Sequence, residues 1–203
     1  MASNDKNGFC VPYTVRDTPD KGRGVFADAP IRKGTILWHF VRGQYAVYDE
    51  RSLKEYLATL SRSDVIYELD HMFGAPEFPG YIIRVFDDGV LINHSSQPNV
   101  VVNSDSGGDE IPYNTSVQSV QDVEGALLND RFALIAAQDL KVGDELAHDY
   151  DVGVEDPPYY DALREQTSDT PTKMIQRSSR PGPSVGTTRA SASASRCPRG
   201  HRE

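Results

Sequence analysis

Leu91-Ile92-Asn93-His94-Ser95-Ser96-Gln97-Pro98-Asn99-Val100 is the stretch from which the rest of the chain is best read. Two polar side chains, Asn93 and His94, directly follow the apolar pair Leu91-Ile92. That order places them at the edge of a core, with backbone and amide groups available to a polar ligand such as an adenine ring. The competing reading is a self-contained turn, with Asn99 after Pro98 capping it. Asn93-His94-Ser95 and Asn114-Thr115-Ser116 also match the glycosylation acceptor pattern, which matters only in a secreted chain. The first eight residues contain no apolar h-region, so export is not expected.

Two further segments flank this one. Lys21-Gly22-Arg23-Gly24-Val25-Phe26-Ala27 sets a Gly-x-Gly pair just before an apolar strand, where missing Cβ atoms let the backbone pass close to a ligand. A tight turn is the competing reading, and without a third glycine and a following helix this is not a dinucleotide fingerprint. Downstream, Ile135 to Tyr150 reads as a strand, a turn at Gly143 and a short strand ending in Tyr150. A lone tyrosine there is ordinarily an amphipathic packing residue.

Taken in order, with Ala29-Pro30-Ile31-Arg32-Lys33-Gly34-Thr35 after the first, these segments resemble the SET-domain family of protein lysine methyltransferases. Gly22-Arg23-Gly24, Asn93-His94-Ser95-Ser96-Gln97-Pro98-Asn99 and Gly143-Asp144-Glu145-Leu146-Ala147-His148-Asp149-Tyr150 stand in the order of that family's motifs. The resemblance implies a mostly β fold of small curved sheets with a few short helices and a C-terminal pseudoknot, where the Asn93 and Tyr150 segments meet. It implies S-adenosylmethionine as methyl donor and a lysine ε-amine as acceptor. By the same resemblance, Lys21, Gly22, Arg23 and Gly24 hold the methionine end of the donor and Asn93 and His94 its adenine. Tyr150 is then the catalytic tyrosine, touching the donor beside the transferring methyl.

The chemistry suits those residue types. Methyl transfer from a sulfonium is a direct displacement, so the main task is to hold nitrogen, carbon and sulfur in line. An apolar channel lowers the lysine's pKa by desolvation, and tyrosine faces attract its cationic forms. Tyr81, ahead of Asn93, is a second candidate for the channel wall, with a plain core role as the competing reading. Many family members carry a Cys-rich zinc segment after the domain; this chain has only Cys197 there, so it resembles a short form without it. Tyr159 and Tyr160 are the nearest aromatics to close the channel, with surface packing the competing reading. His148 stands two residues before Tyr150, where the family usually has Phe or Tyr and where the number of methyls added is influenced. No metal site is expected, because Cys10 and Cys197 cannot assemble four Cys or His ligands, and two such cysteines suit a reducing compartment.

Charge divides the chain. Residues 171–203 hold seven basic side chains against one acidic, a net of +6, which leaves 14 basic and 29 acidic elsewhere, a net of −15. An acidic body repels phosphate backbones and attracts basic peptides, which argues against direct nucleic-acid binding by the body and for a Lys/Arg-rich protein substrate such as a histone. No apolar run reaches the roughly 20 residues of a bilayer span, so no membrane contact is expected and an intracellular, nuclear or cytoplasmic protein is. The chain is expected to divide into a SET domain over 12–165 and a disordered basic Ser/Pro/Arg-rich tail over 166–203. A second functional reading is a catalytically inactive SET-like module that binds a peptide or partner.

Within the body, strands are expected at 25–27, 35–41, 81–86, 99–102 and 131–136. Leu53, Tyr56, Leu57 and Leu60 predict an amphipathic helix capped by Asp49 or Ser52, and a second helix is expected over 158–166. Residues 104–126 read as a flexible acidic loop.

Overall fold

The structure is a computed structural model that describes residues 7–103 and 117–167. Among these residues, ten strands form three small sheets: β1 (Tyr13–Thr18) with β2 (Gly22–Ala27), β4 (Tyr45–Tyr48) with β6 (Ile82–Val85) and β5 (Met72–Phe73), and a five-stranded sheet. The last has the order β3 (Ile36–Trp38), β9 (Leu134–Ala136), β8 (Val100–Val102), β10 (Ala147–His148) and β7 (Asn93–His94). Four α-helices complete the fold: α1 (Glu50–Leu57), α2 (Arg62–Asp70), α3 (Val120–Leu127) and α4 (Pro158–Thr167). Small sheets with a few short helices match the expected class, in a mixed content with more strands than helices.

The main core gathers Val25, Leu37, Val100, Val123 and Leu146, all fully buried, from segments far apart in the chain. Each such side chain contributes about 1.5–3 kcal/mol on burial. A second core, of Leu53, Leu57, Leu69, Met72, Ile82 and Tyr160, lies under the α1, α2 and α4 helices. Arg84 of β6 is 7% exposed and donates to both carboxylate oxygens of Glu68 on α2, at 2.7 and 3.2 Å, which ties the helices to the middle sheet.

Asp49, one of the two expected caps, is the N-cap of α1, and the pair is reciprocal: its side chain accepts from Ser52 N–H at 2.7 Å while Ser52 Oγ accepts from Asp49 N–H at 3.0 Å. Pro158 opens α4 at the position where a missing N–H costs nothing. Three readings need correction. Val120–Leu127, expected as part of a loop, is helical because Ser119 caps it through Asp122 N–H and Val123 and Leu127 reach the core four residues apart. Residues 130–132 form a 3-10 turn rather than strand, so β9 begins only at Leu134. Residues 7–11, before the expected boundary, pack into the fold: Phe9 and Val11 are buried and Gly8 N–H donates to Asp87 at 2.8 Å.

Cys10 is disulfide-bonded, and Cys197 lies outside the described residues. Beyond Gln166 and Thr167, which end α4, the expected tail also lies outside them, as do residues 104–116 of the acidic loop. Among the described residues no helix is long and apolar enough to cross a membrane.

Candidate functional site

The three motif segments converge through backbone pairing. Strand β10 inserts between β7 and β8, parallel to both, with Ala147 opposite Asn93 and His148 opposite both His94 and Val100. The link from β7 to β8 therefore crosses β10, held by Ser95 N–H to His148 O at 2.9 Å and Asn99 N–H to Ala147 O at 3.1 Å. Asn99 fixes the crossing with its side chain, donating from Nδ2 to Glu145 O at 2.8 Å and accepting Ala147 N–H at 2.9 Å. The first segment joins from the other side: Leu146 N–H donates to Val25 O and Gly143 N–H to Ala27 O, both at 2.8 Å.

Entry into the middle segment is set by a buried carboxylate. Asp87 accepts from Gly8 N–H, Gly89 N–H and Trp38 Nε1–H at 2.8–3.1 Å, which pins the 3-10 turn Asp88–Leu91 just ahead of Ile92 and Asn93. Burial pushes the Asp87 carboxyl above the usual range, against the lowering pull of those three donors.

The two glycines of the first segment serve different ends. Gly22 has φ +72°, a left-handed conformation that follows the β1–β2 turn and that side-chain-bearing residues rarely adopt. Gly24 is required by close approach: a Cβ there would lie 2.7 Å from Glu145 Oε1 and 2.8 Å from Asn93 Nδ2. The space left by Gly24 is thus filled by protein, where the sequence reading gave it to a ligand. Lys21 reaches across to the middle segment, donating from Nζ to His94 O at 3.1 Å. Asn93 Nδ2 donates back to Arg23 O at 3.1 Å and to Glu145 Oε1 at 2.8 Å.

Tyr150 closes the cluster. Its backbone N–H donates to His94 Nδ1 at 3.1 Å, its hydroxyl donates to Ile92 O, and its ring centroid lies 5.4 Å from that of His94. With that proton directed at a carbonyl, the phenol oxygen can meet any further group only as an acceptor. Lys21, Gly22, Arg23, Gly24, Asn93, His94 and Tyr150 are therefore brought into one neighbourhood. Their arrangement fits a polar, partly cationic ligand: Asn93 and Tyr150 offer acceptor oxygens and the glycine hairpin offers backbone.

The expected channel residues divide. The His148 ring lies 6.5 Å from Tyr150 and borders a shallow apolar recess with Pro98, Val100, Val101, Asp149 and Val152. Tyr159 donates its hydroxyl to Gly80 O at 3.0 Å, beside Tyr81. Burial, reinforced by Asp49, Glu50 and Asp156, pushes its pKa up, so it is a neutral phenol. Tyr160 is not a wall residue. It is fully buried in the second core and its hydroxyl donates to Leu69 O and Met72 O, because a tyrosine one position further round α4 faces inward. His94, Asp149 and Asp151 bring possible metal-ligand atoms within 4.8 Å of one another, but the Asp151 carboxylate is exposed and His94 Nδ1 already accepts Tyr150 N–H.

Glu145 is the site residue that sequence reasoning missed. It sits inside a quoted motif, but only the fold reveals that its carboxylate meets Asn93, 52 positions away.

The chain is 29% identical over 140 residues to the histone-lysine N-methyltransferase ash1 of Drosophila melanogaster, which covers 69% of this chain and 5% of that protein. The Neurospora SET domain protein DIM-5, described as a histone lysine methyltransferase, aligns at 16% identity with a TM-score of 0.42, covering 83% of this chain and 56% of that one. The model of the SET domain matches residues 22–151, from the Gly-x-Gly hairpin to the residue after Tyr150, and the chain belongs to the SET-domain family of lysine methyltransferases.

Proposed function

We propose that this chain is an active protein-lysine N-methyltransferase that takes its methyl group from S-adenosylmethionine and passes it to a lysine ε-amine of a Lys/Arg-rich protein, a histone being the favoured class. The observation that supports this most is the meeting of Tyr150 with His94 and Asn93 through the β7–β10 pairing, with Gly22, Gly24, Asn93, His94 and Tyr150 all present. When bound, the donor supplies an electrophilic methyl on a sulfonium. Lys21 to Gly24, Asn93 and His94 bind and orient that donor, and Tyr150 presents its ring and oxygen to the incoming amine. The acidic body attracts the basic substrate, and the histone-directed activity named for ash1 points the same way. A histone substrate places the protein inside the cell, in nucleus or cytoplasm.

Labelled-methyl transfer to core histones and to bulk cell protein, with donor-binding calorimetry alongside, tests the reading. Transfer to lysine is the expected result. Donor binding with no transfer to any protein would replace it with the inactive peptide-binding module.

A further inference from the structure

We infer that Glu145 is a positioning residue of the donor site, acting by fixing which face the Asn93 amide shows to the ligand; this rests on the donor-site reading above. Asn93 Nδ2 lies 2.8 Å from Glu145 Oε1 and 3.1 Å from Arg23 O. A carboxylate and a backbone carbonyl both accept only, so the atom between them must be the amide nitrogen, with both of its hydrogens engaged. Asn93 Oδ1 is then turned away from the pair, and no partner to it is recorded among the described residues. What it can take from a ligand is an N–H, either an ammonium or an exocyclic amine. Gly24 preserves this arrangement, since a Cβ at that position would intrude on both Glu145 Oε1 and Asn93 Nδ2.

Glu145 is well placed to act in this way. Its backbone pairs with Phe26 and its carbonyl accepts from Asn99 Nδ2, so the side chain stands on a support that does not depend on the carboxylate. Without that carboxylate the Asn93 amide keeps one anchor, Arg23 O, and can rotate to satisfy itself elsewhere. The donor would then meet an amide of mixed orientation.

Calorimetry of S-adenosylmethionine on the full chain tests this with Glu145→Ala, Glu145→Gln, Asn93→Ala and the double alanine variant. Glu145→Ala should weaken donor binding about tenfold, the size of one well-placed hydrogen bond to a charged group. Glu145→Gln keeps an acceptor oxygen and should bind nearly as wild type does. The double variant should bind no more weakly than Asn93→Ala alone, because both losses pass through one amide. The Asn93 side-chain amide protons, followed by nitrogen-15 NMR without ligand, should exchange slowly in wild type and faster in Glu145→Ala, whereas a purely structural role would leave that contrast absent. Adenosine, which lacks the methionine end, identifies the ligand group: equal weakening names the adenine amine and no weakening names the ammonium, both supporting the role. Wild-type affinity in Glu145→Ala, losses that multiply in the double variant, or a folded Glu145→Gln that fails to bind would overturn it. If Glu145→Ala does not fold, the glutamine variant and the wild-type exchange rates decide. A wild-type chain that binds no donor at all would overturn the donor-site reading itself and this role with it.

Discussion

The backbone N–H of Tyr150 donates to Nδ1 of His94 at 3.1 Å, joining two motif segments 56 positions apart. Because Nδ1 accepts, a neutral His94 carries its proton on Nε2, which makes the outward edge of the ring a donor. Asp149 Oδ1 also lies 3.7 Å from Nδ1, on the same side of the ring. His94 is thus both a candidate donor contact and the seat on which the backbone of Tyr150, the candidate catalytic residue, rests.

That double role separates two substitutions. His94→Asn keeps an acceptor close to the Nδ1 position, and His94→Ala removes it. The alanine variant should lose about 0.5–1.5 kcal/mol from the Tyr150 bond alone, and the asparagine variant less than half of that. Denaturant melts of the two proteins measure the difference. Equal losses would mean that the bond to Tyr150 N–H contributes nothing to the fold.

Gly24→Ala should be more damaging than its size suggests. The added methyl meets Glu145 Oε1 at 2.7 Å and Asn93 Nδ2 at 2.8 Å, so one of the pair must move. Overpacking of this kind costs about 1–3 kcal/mol, and the displaced amide should weaken S-adenosylmethionine binding as well. Melting temperature and donor calorimetry read the two effects separately. Gly34→Ala, where nothing lies within 4 Å but φ is +79°, should lower stability through backbone strain and leave donor affinity alone.

Asp49 carries a pH-dependent prediction. Hydrogen bonds from Ser52 hold its carboxyl below the usual carboxylate range. A carboxyl depressed in the folded state contributes stability that is complete above its unfolded pKa of about 3.9 and disappears as pH falls through the folded value. Asp49→Ala should therefore cost about 1 kcal/mol at neutral pH, the usual worth of such a cap, and the gap between variant and wild type should close as the pH drops below that range. Denaturant titrations at pH 7 and at pH 3 make the comparison. A gap that persists unchanged in acid would show that the cap does not act through the ionised carboxylate.

What the sequence made legible follows a physical division. Local signals were readable: the Asp49 cap, the leucines of α1, Pro158 at the head of α4, and the glycine hairpin. The α2 helix escaped because Leu69 is its one fully buried side chain, which leaves no wide apolar stripe. The α3 helix was available in Ser119-x-x-Asp122 with Val123 and Leu127, but the surrounding acidic and glycine-rich residues hid it. The Glu145 to Asn93 bond and the packing of residues 7–11 are contacts between distant segments, and no local pattern encodes them. Tyr160 was misread because neighbouring tyrosines on a helix point about 100° apart, so Tyr160 is fully buried in the core while Tyr159 packs only at its edge.

The decisive substitution for the proposed chemistry is Tyr150→Phe. It deletes the hydroxyl that donates to Ile92 O and keeps the ring that lies 5.4 Å from His94 and 6.5 Å from His148. The backbone bond to His94 Nδ1 is untouched, so the seat of the ring survives. Stability should fall by no more than the roughly 0.5–1.5 kcal/mol of a single hydrogen bond, and donor affinity should change little. Turnover should fall far more, because a group that orients the amine acts mainly in the transition state and its loss lowers the rate without a matching change in ground-state binding. His148→Phe is the contrasting variant, expected to change how many methyls are added more than the rate of the first. Single-turnover methyl transfer at saturating donor and peptide, read by mass spectrometry, follows both effects at once. Wild-type turnover in Tyr150→Phe would remove Tyr150 from the catalytic role and pass the question to Tyr81 and to Tyr159, whose hydroxyl donates to the adjacent Gly80 O.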